Sequence, residues 1–160
     1  MRTSTLLLTL ALGAGIAGLG FSARAQHQHG ASPGMPAPDA RIAVHFPDMM
    51  RTHTLSNMRD HLFALSEIQE ALATGSYDEA AKTAEARLGM SSLALHGAHE
   101  LSEFMPLGMQ EIGTAMHRSA SRFALEAQNS AATGDVKPAL AALAATMKTC
   151  AACHATYRLE

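Results

Sequence analysis

The chain has 160 residues, with 12 Lys+Arg against 14 Asp+Glu and a formal charge of −2. That near-neutral balance excludes a basic surface of the kind that holds nucleic acid, and the length suits one domain. The sequence is rich in Ala, Leu and Met and has no Trp, which favours an all-α protein.

In chain order, the first expected element is a signal peptide, residues 1–25. Arg2 supplies the positive start, Leu6 to Phe21 an apolar run broken by Gly13, Gly15, Gly18 and Gly20, and Ala23 to Ala25 a small-x-small cleavage site. Cleavage after Ala25 implies export, most simply to a bacterial periplasm. Residues 26–46 read "QHQHGASPGMPAPDARIAVHF". Their prolines and glycines, without helical period, predict a flexible leader.

The domain proper is expected over 47–160, as four helices. The first spans about 47–73, opened by Pro47. Its inward stripe is Leu55, Met58, Leu62, Leu65 and Leu72, and Gly75 stops it. The second begins at Ser76, where "SYDE" is a capping box. It runs to about Phe104, before Pro106 breaks the pattern. The third, about 106–132, has Met109, Ile112, Met116 and Phe123 on its face, and Thr133 to Asp135 end it. The fourth spans about 136–158. Val136, Leu140, Leu143, Met147, Cys150 and His154 make its stripe, at spacings of four and three. Four such helices with short connections predict an antiparallel up-down-up-down bundle, with the end of the last helix near the start of the first.

Both cysteines lie in "CAACHATYR", Cys150 to Arg158. Cys-x-x-Cys-His admits three chemistries. Two thiols add to haem vinyl groups and the histidine ligates the iron. A thioredoxin-like redox pair needs a βαβ context and a helix N-terminus, and here the thiols sit at the other end of a helix. A zinc site needs a second ligand pair at finger spacing, which the chain does not offer. Covalent haem c, one per chain, is the expected cofactor. Only Ala155 to Glu160 follow His154 in this sequence, so any second axial ligand is expected from upstream.

Cys-x-x-Cys-His-x-x-Tyr-Arg near the end of a fourth helix resembles the class II cytochromes c, the cytochrome c′ family. The likeness covers roughly Phe46 to Glu160, and its specific part is the ungapped motif. It implies an antiparallel four-helix bundle with haem between the first and last helices, commonly a homodimer, here expected through the first two helices. It implies electron transfer with a redox partner protein, or binding of NO or CO at an open iron. By the family's pattern, Arg51 is followed four residues on by the distal residue, here Leu55, which leaves iron five-coordinate. Arg158 is expected one turn beyond His154, beside a haem propionate, and Arg51 likewise from the first helix.

The sixth position stays open. Met58 lies on the stripe of Leu55, about 4.5 Å further along the axis, within partial reach of a flexible thioether. His61 is about 9 Å along, and His53 is at the right height but about 160° around the helix. A second class of function is periplasmic binding or sensing of Cu, Zn or Ni. "HQH", His27 to His29, and "HGAHELSE", with His96, His99, Glu100 and Glu103 at helical spacing, would carry it. No nucleophile–base pair or carboxylate dyad stands out, so the expected protein is not an enzyme.

Overall fold

A computed structural model describes residues 38–160. The expected signal peptide, and most of the leader with His27 and His29, lie outside these residues. Element order is β1 (Ile42–Val44), α1 (Asp48–Ala73), α2 (Tyr77–Arg87), a 3₁₀ turn (Met90–Ser92), α3 (Ala98–Ser102), α4 (Leu107–Thr133), α5 (Lys137–Thr156) and β2 (Tyr157–Leu159). The described chain is thus mostly helical. No helix among these residues is long and apolar enough to cross a membrane.

Helix α1 starts after Pro47 with Asp48 in its first turn, where a carboxylate suits the positive end of the helix. Thr74 closes it, its Oγ1 donating to the Glu70 carbonyl at 3.0 Å. The buried side of α1 is Thr54, His61, Ala64, Ile68 and Leu72. That differs from the leucine stripe, since Leu62 is 69% exposed. The reason is close packing: Ala64 and Ile68 meet the alanines of α2 (Ala80, Ala81 and Ala84), and small side chains let the axes approach.

Helix α2 is much shorter than the sequence predicts. Ser76 is its N-cap, yet its side chain makes no capping bond. The hydroxyl lies 3.2 Å from Thr74 Oγ1 instead. The helix ends near Leu88, where the backbone N–H groups of Leu88 and Gly89 both reach the Ala84 carbonyl. The Leu88 carbonyl is taken by the Nδ1–H of His117 at 2.8 Å. A tertiary donor at the last carbonyls satisfies the helix end and frees the chain to turn. The stretch to Pro106 is then a 3₁₀ turn, a loop and the short α3.

Helix α4 follows the sequence reading closely. Gly134, at φ 76, caps it in the left-handed region, its N–H on the Ser130 carbonyl. Asp135 Oδ1 accepts from the Lys137 N–H at 3.0 Å and opens α5. Here too the buried seam is turned from the predicted one. It is Ala139, Leu143 and Thr146, while Leu140 is 49% exposed. Alanine-rich α5 can present several faces. The face chosen puts Thr146 Oγ1 3.0 Å from Ser119 Oγ on α4, giving a buried hydroxyl a partner.

Two further corrections concern the ends. Residues 42–44, expected in the leader, form β1. They pair in parallel with β2, Ile42 opposite Tyr157 and Val44 opposite Leu159. Val44 and Phe46 are buried and His45 is exposed, the alternation of an extended chain. Helix α5 therefore stops at Thr156. Tyr157 is extended (φ −122°, ψ 150°), and Arg158 lies on a strand rather than one helical turn past His154. Gly108 makes room for this, because a Cβ there would stand 2.6 Å from Tyr157 Oη.

The packing has two parts. One core joins α1, α2, α4 and α5 around Ile68, Leu88, Phe123 and Leu143, with alanines between. A smaller one, Val44, Phe46 and Leu101, gathers Met50, Met105, Met109, Tyr157 and Leu159. Phe123 is 1% exposed, so Phe123→Ala should cost about 3–5 kcal/mol. Leu125→Ala, at a position 61% exposed, should change stability by less than about 0.5 kcal/mol. Urea unfolding of both variants checks the seam.

Candidate functional site

A cavity of about 420 Å³ is lined by residues of α1, the segment before α4, α4 and α5. Helix α1 gives it Thr54, Asn57, Met58 and His61. The loop before α3 gives Leu93 and His96, and α3 gives His99 and Leu101. Met105 precedes α4, which adds Met109, Gln110, Met116 and His117. Cys153 comes from α5. The close helix pairings are α4 with α5, α2 with α4, and α1 with α2. Cys153 on α5 and Met58 on α1 thus share a space that no large side chain fills.

Cys150 and Cys153 are half-buried free thiols. Burial pushes both thiol pKa values up, and for Cys153 the neighbouring Cys150 adds to the effect. Of the motif, Cys153 lines the cavity, whereas Cys150 and His154 do not. The imidazole of His154 is exposed, and its backbone carbonyl accepts from Arg41 Nη1 at 3.4 Å. Leu55 is half-buried and not part of the cavity wall; Met58 is part of it. Arg51 and Arg158 each carry a buried Nε with no hydrogen-bond partner. The Arg158 guanidinium pairs with Glu160 through Nη1, and its Nε lies 3.7 Å from Asp39.

The predicted metal face of the second helix is not one face. His96 precedes α3, His99 and Glu100 lie on it, and Glu103 caps its end. Instead, three histidines from three elements meet. Ring centres are 4.8 Å apart for His61 and His96, 5.3 Å for His96 and His117, and 6.3 Å for His61 and His117. The carbonyl that holds His117 Nδ1 can only accept, so the proton sits on Nδ1 and Nε2 keeps its lone pair. Ser92 Oγ donates to the Gly89 carbonyl at 2.7 Å and lies 3.5 Å from His96 Nδ1. His61 is 8% exposed, and its Nε2 is buried without a partner. Burial, then the neighbouring His96 and His117, pushes His61 down to about 4. Burial comes first in lowering His96 and His117 too. At neutral pH the cluster is uncharged. Beside it, Arg87 grips Asp60 through two nitrogens, at 2.5 and 3.0 Å, and Glu67 at 2.6 Å.

This cluster is what sequence spacing missed. Its signal was present: His61 leads Ala64 and Ile68 at three and four residues, and His117 leads Ala120 and Phe123 at three and three. Both histidines occupy core positions of their helices.

No protein-family model matches the chain, and neither a curated protein nor a solved structure matches it significantly.

Because the folded pKa of His61 lies below its ordinary value of 6.5, the unfolded chain binds more protons between the two. The His61 contribution to stability should therefore be full above about pH 6.5, fall as the pH drops, and be spent near pH 4. Urea unfolding in chelator-containing buffer across that range checks it. His61→Leu should flatten the fall.

Proposed function

We propose that this is an exported, mono-haem c-type cytochrome of the cytochrome c′ kind. Its long helices form an antiparallel bundle, and its haem lies at the cavity shared by α1 and α5. The observation that carries the reading is Cys153 of Cys-x-x-Cys-His facing a space bordered by Met58 and Met109. The residues present suit the group. Two free thiols stand three residues apart on one helix. The exposed imidazole of His154 makes no hydrogen bond among the described residues. The Nε of Arg51 is buried without a hydrogen-bond partner, as a donor awaiting a carboxylate would be, while the Arg158 guanidinium already faces the carboxylates of Asp39 and Glu160.

Cys150 and Cys153 would hold the haem by thioethers and His154 would ligate its iron. A haem so held supplies one-electron transfer or a site for NO and CO. Met58, Leu93, Leu101, Met105, Met109 and Met116 give much of the cavity an apolar lining. Met58 is the cavity-facing thioether of α1, and Thr54 and His61 flank it; Leu55 stands behind them. Arg51 and Arg158 would anchor the propionates. A homodimer through α1 is supported by Leu62 and Phe63, both largely exposed on that helix.

Expression with haem-attachment machinery should give a covalently haem-stained product, and Cys150→Ser with Cys153→Ser should abolish the stain. A stain that survives both changes refutes the reading. Ferric and ferrous spectra with and without CO then separate the two roles. A complete shift on CO means an open iron and gas binding. A low-spin spectrum indifferent to CO means a protein ligand, Met58 first, and an electron carrier.

A further inference from the structure

Three imidazoles from α1, the loop before α3 and α4 meet at one wall of the cavity, and none of them is assigned as a haem ligand above. Two imidazoles whose nitrogens bind one metal at about 2.0–2.1 Å have ring centres roughly 5–6 Å apart. The three observed separations are 4.8, 5.3 and 6.3 Å. As the structure stands, no three His, Cys, Asp or Glu side chains among the described residues are turned onto a common metal position. The 5.3 Å separation falls within that range and the other two within a few tenths of an ångström of it, so closure calls for His61 and His96 to adjust about the held ring of His117.

We propose that His61, His96 and His117 form a copper site at the wall of the cavity. Three further observations support it. His117 donates Nδ1–H to the Leu88 carbonyl, the outer-shell bond that fixes a ligating histidine with its other nitrogen free. His61 Nε2 is buried and unpartnered in a side chain 8% exposed, and a polar atom left so is costly unless something binds it. Lastly, the same wall carries the thioethers of Met58 and Met116 and no carboxylate. Neutral imidazole and thioether donors select copper, Cu(I) above all, over magnesium or calcium, which require oxygen ligands.

The test uses the full chain, expressed with haem-attachment machinery. It is titrated with Cu(I) under ascorbate against a chromophoric chelator, while haem is measured separately by its pyridine haemochrome. One copper per chain is expected. Loss of an outer-shell partner alone weakens metal sites 10–100-fold, so His61→Ala and His96→Ala should each weaken binding more than about 100-fold. Circular dichroism confirms that both variants fold. Cys150→Ser with Cys153→Ser removes the thiols and should keep the copper. For the unaltered chain, X-ray absorption should show nitrogen ligands on copper. A shell of sulfur alone, no uptake against the chelator, or uptake indifferent to His61 and His96 overturns the proposal. Copper without covalent haem would sink the haem reading only, and haem without copper would sink only this one.

Discussion

The hydrogen bond from His117 to the Leu88 carbonyl, 2.8 Å long and buried, decides the layout of the middle of the chain. It takes a carbonyl at the end of α2 that further helix would otherwise use. The stretch after it becomes a wall: Leu93 and His96 on the loop, then His99 and Leu101 on α3. A phenylalanine at 117 would fill the same volume but leave that carbonyl dry. The bond also fixes which imidazole nitrogen faces inward. One contact thus sets both where a helix stops and what chemistry the cavity wall presents.

Beyond that wall the molecule divides its packing. Around Ile68, Phe123 and Leu143, alanines let four helices approach until little space remains. Towards the end of α5 the alanines Ala151, Ala152 and Ala155 are exposed, and of that stretch only Cys153 lines the cavity. The cavity is bounded instead by α1, the segment from Leu93 to Met105, and α4.

Much of this was legible in the sequence. Pro47, Gly75, Pro106 and Gly134 mark boundaries that hold within a residue or two, because they act locally through fixed backbone geometry. The placement of Cys150 to His154 on the last helix was legible too, from the spacing that leads up to it. The inward seams of α1 and α5 were not. In an alanine-rich helix hydrophobicity is spread round the axis, and the tight seam is chosen by which small residues let a neighbour approach, which depends on the neighbour. The stop at Leu88 was also hidden, since its cause lies on another helix. The strand at Ile42 was masked by the prolines before it, and its partner by the helical period running into Tyr157.

The pairing of β1 with β2 joins Val44 to Leu159, with every helix of the described chain between them. It closes one of the longest loops in the described chain, and such closures carry a large entropy cost and tend to come late in folding. A chain folding from its start would hold β1 as an unpaired edge until residues 157–159 arrive. The cysteine motif lies immediately before those residues. Pairing of β1 with β2 thus ties down the end of α5 that carries Cys150, Cys153 and His154, with Tyr157 packed against Gly108.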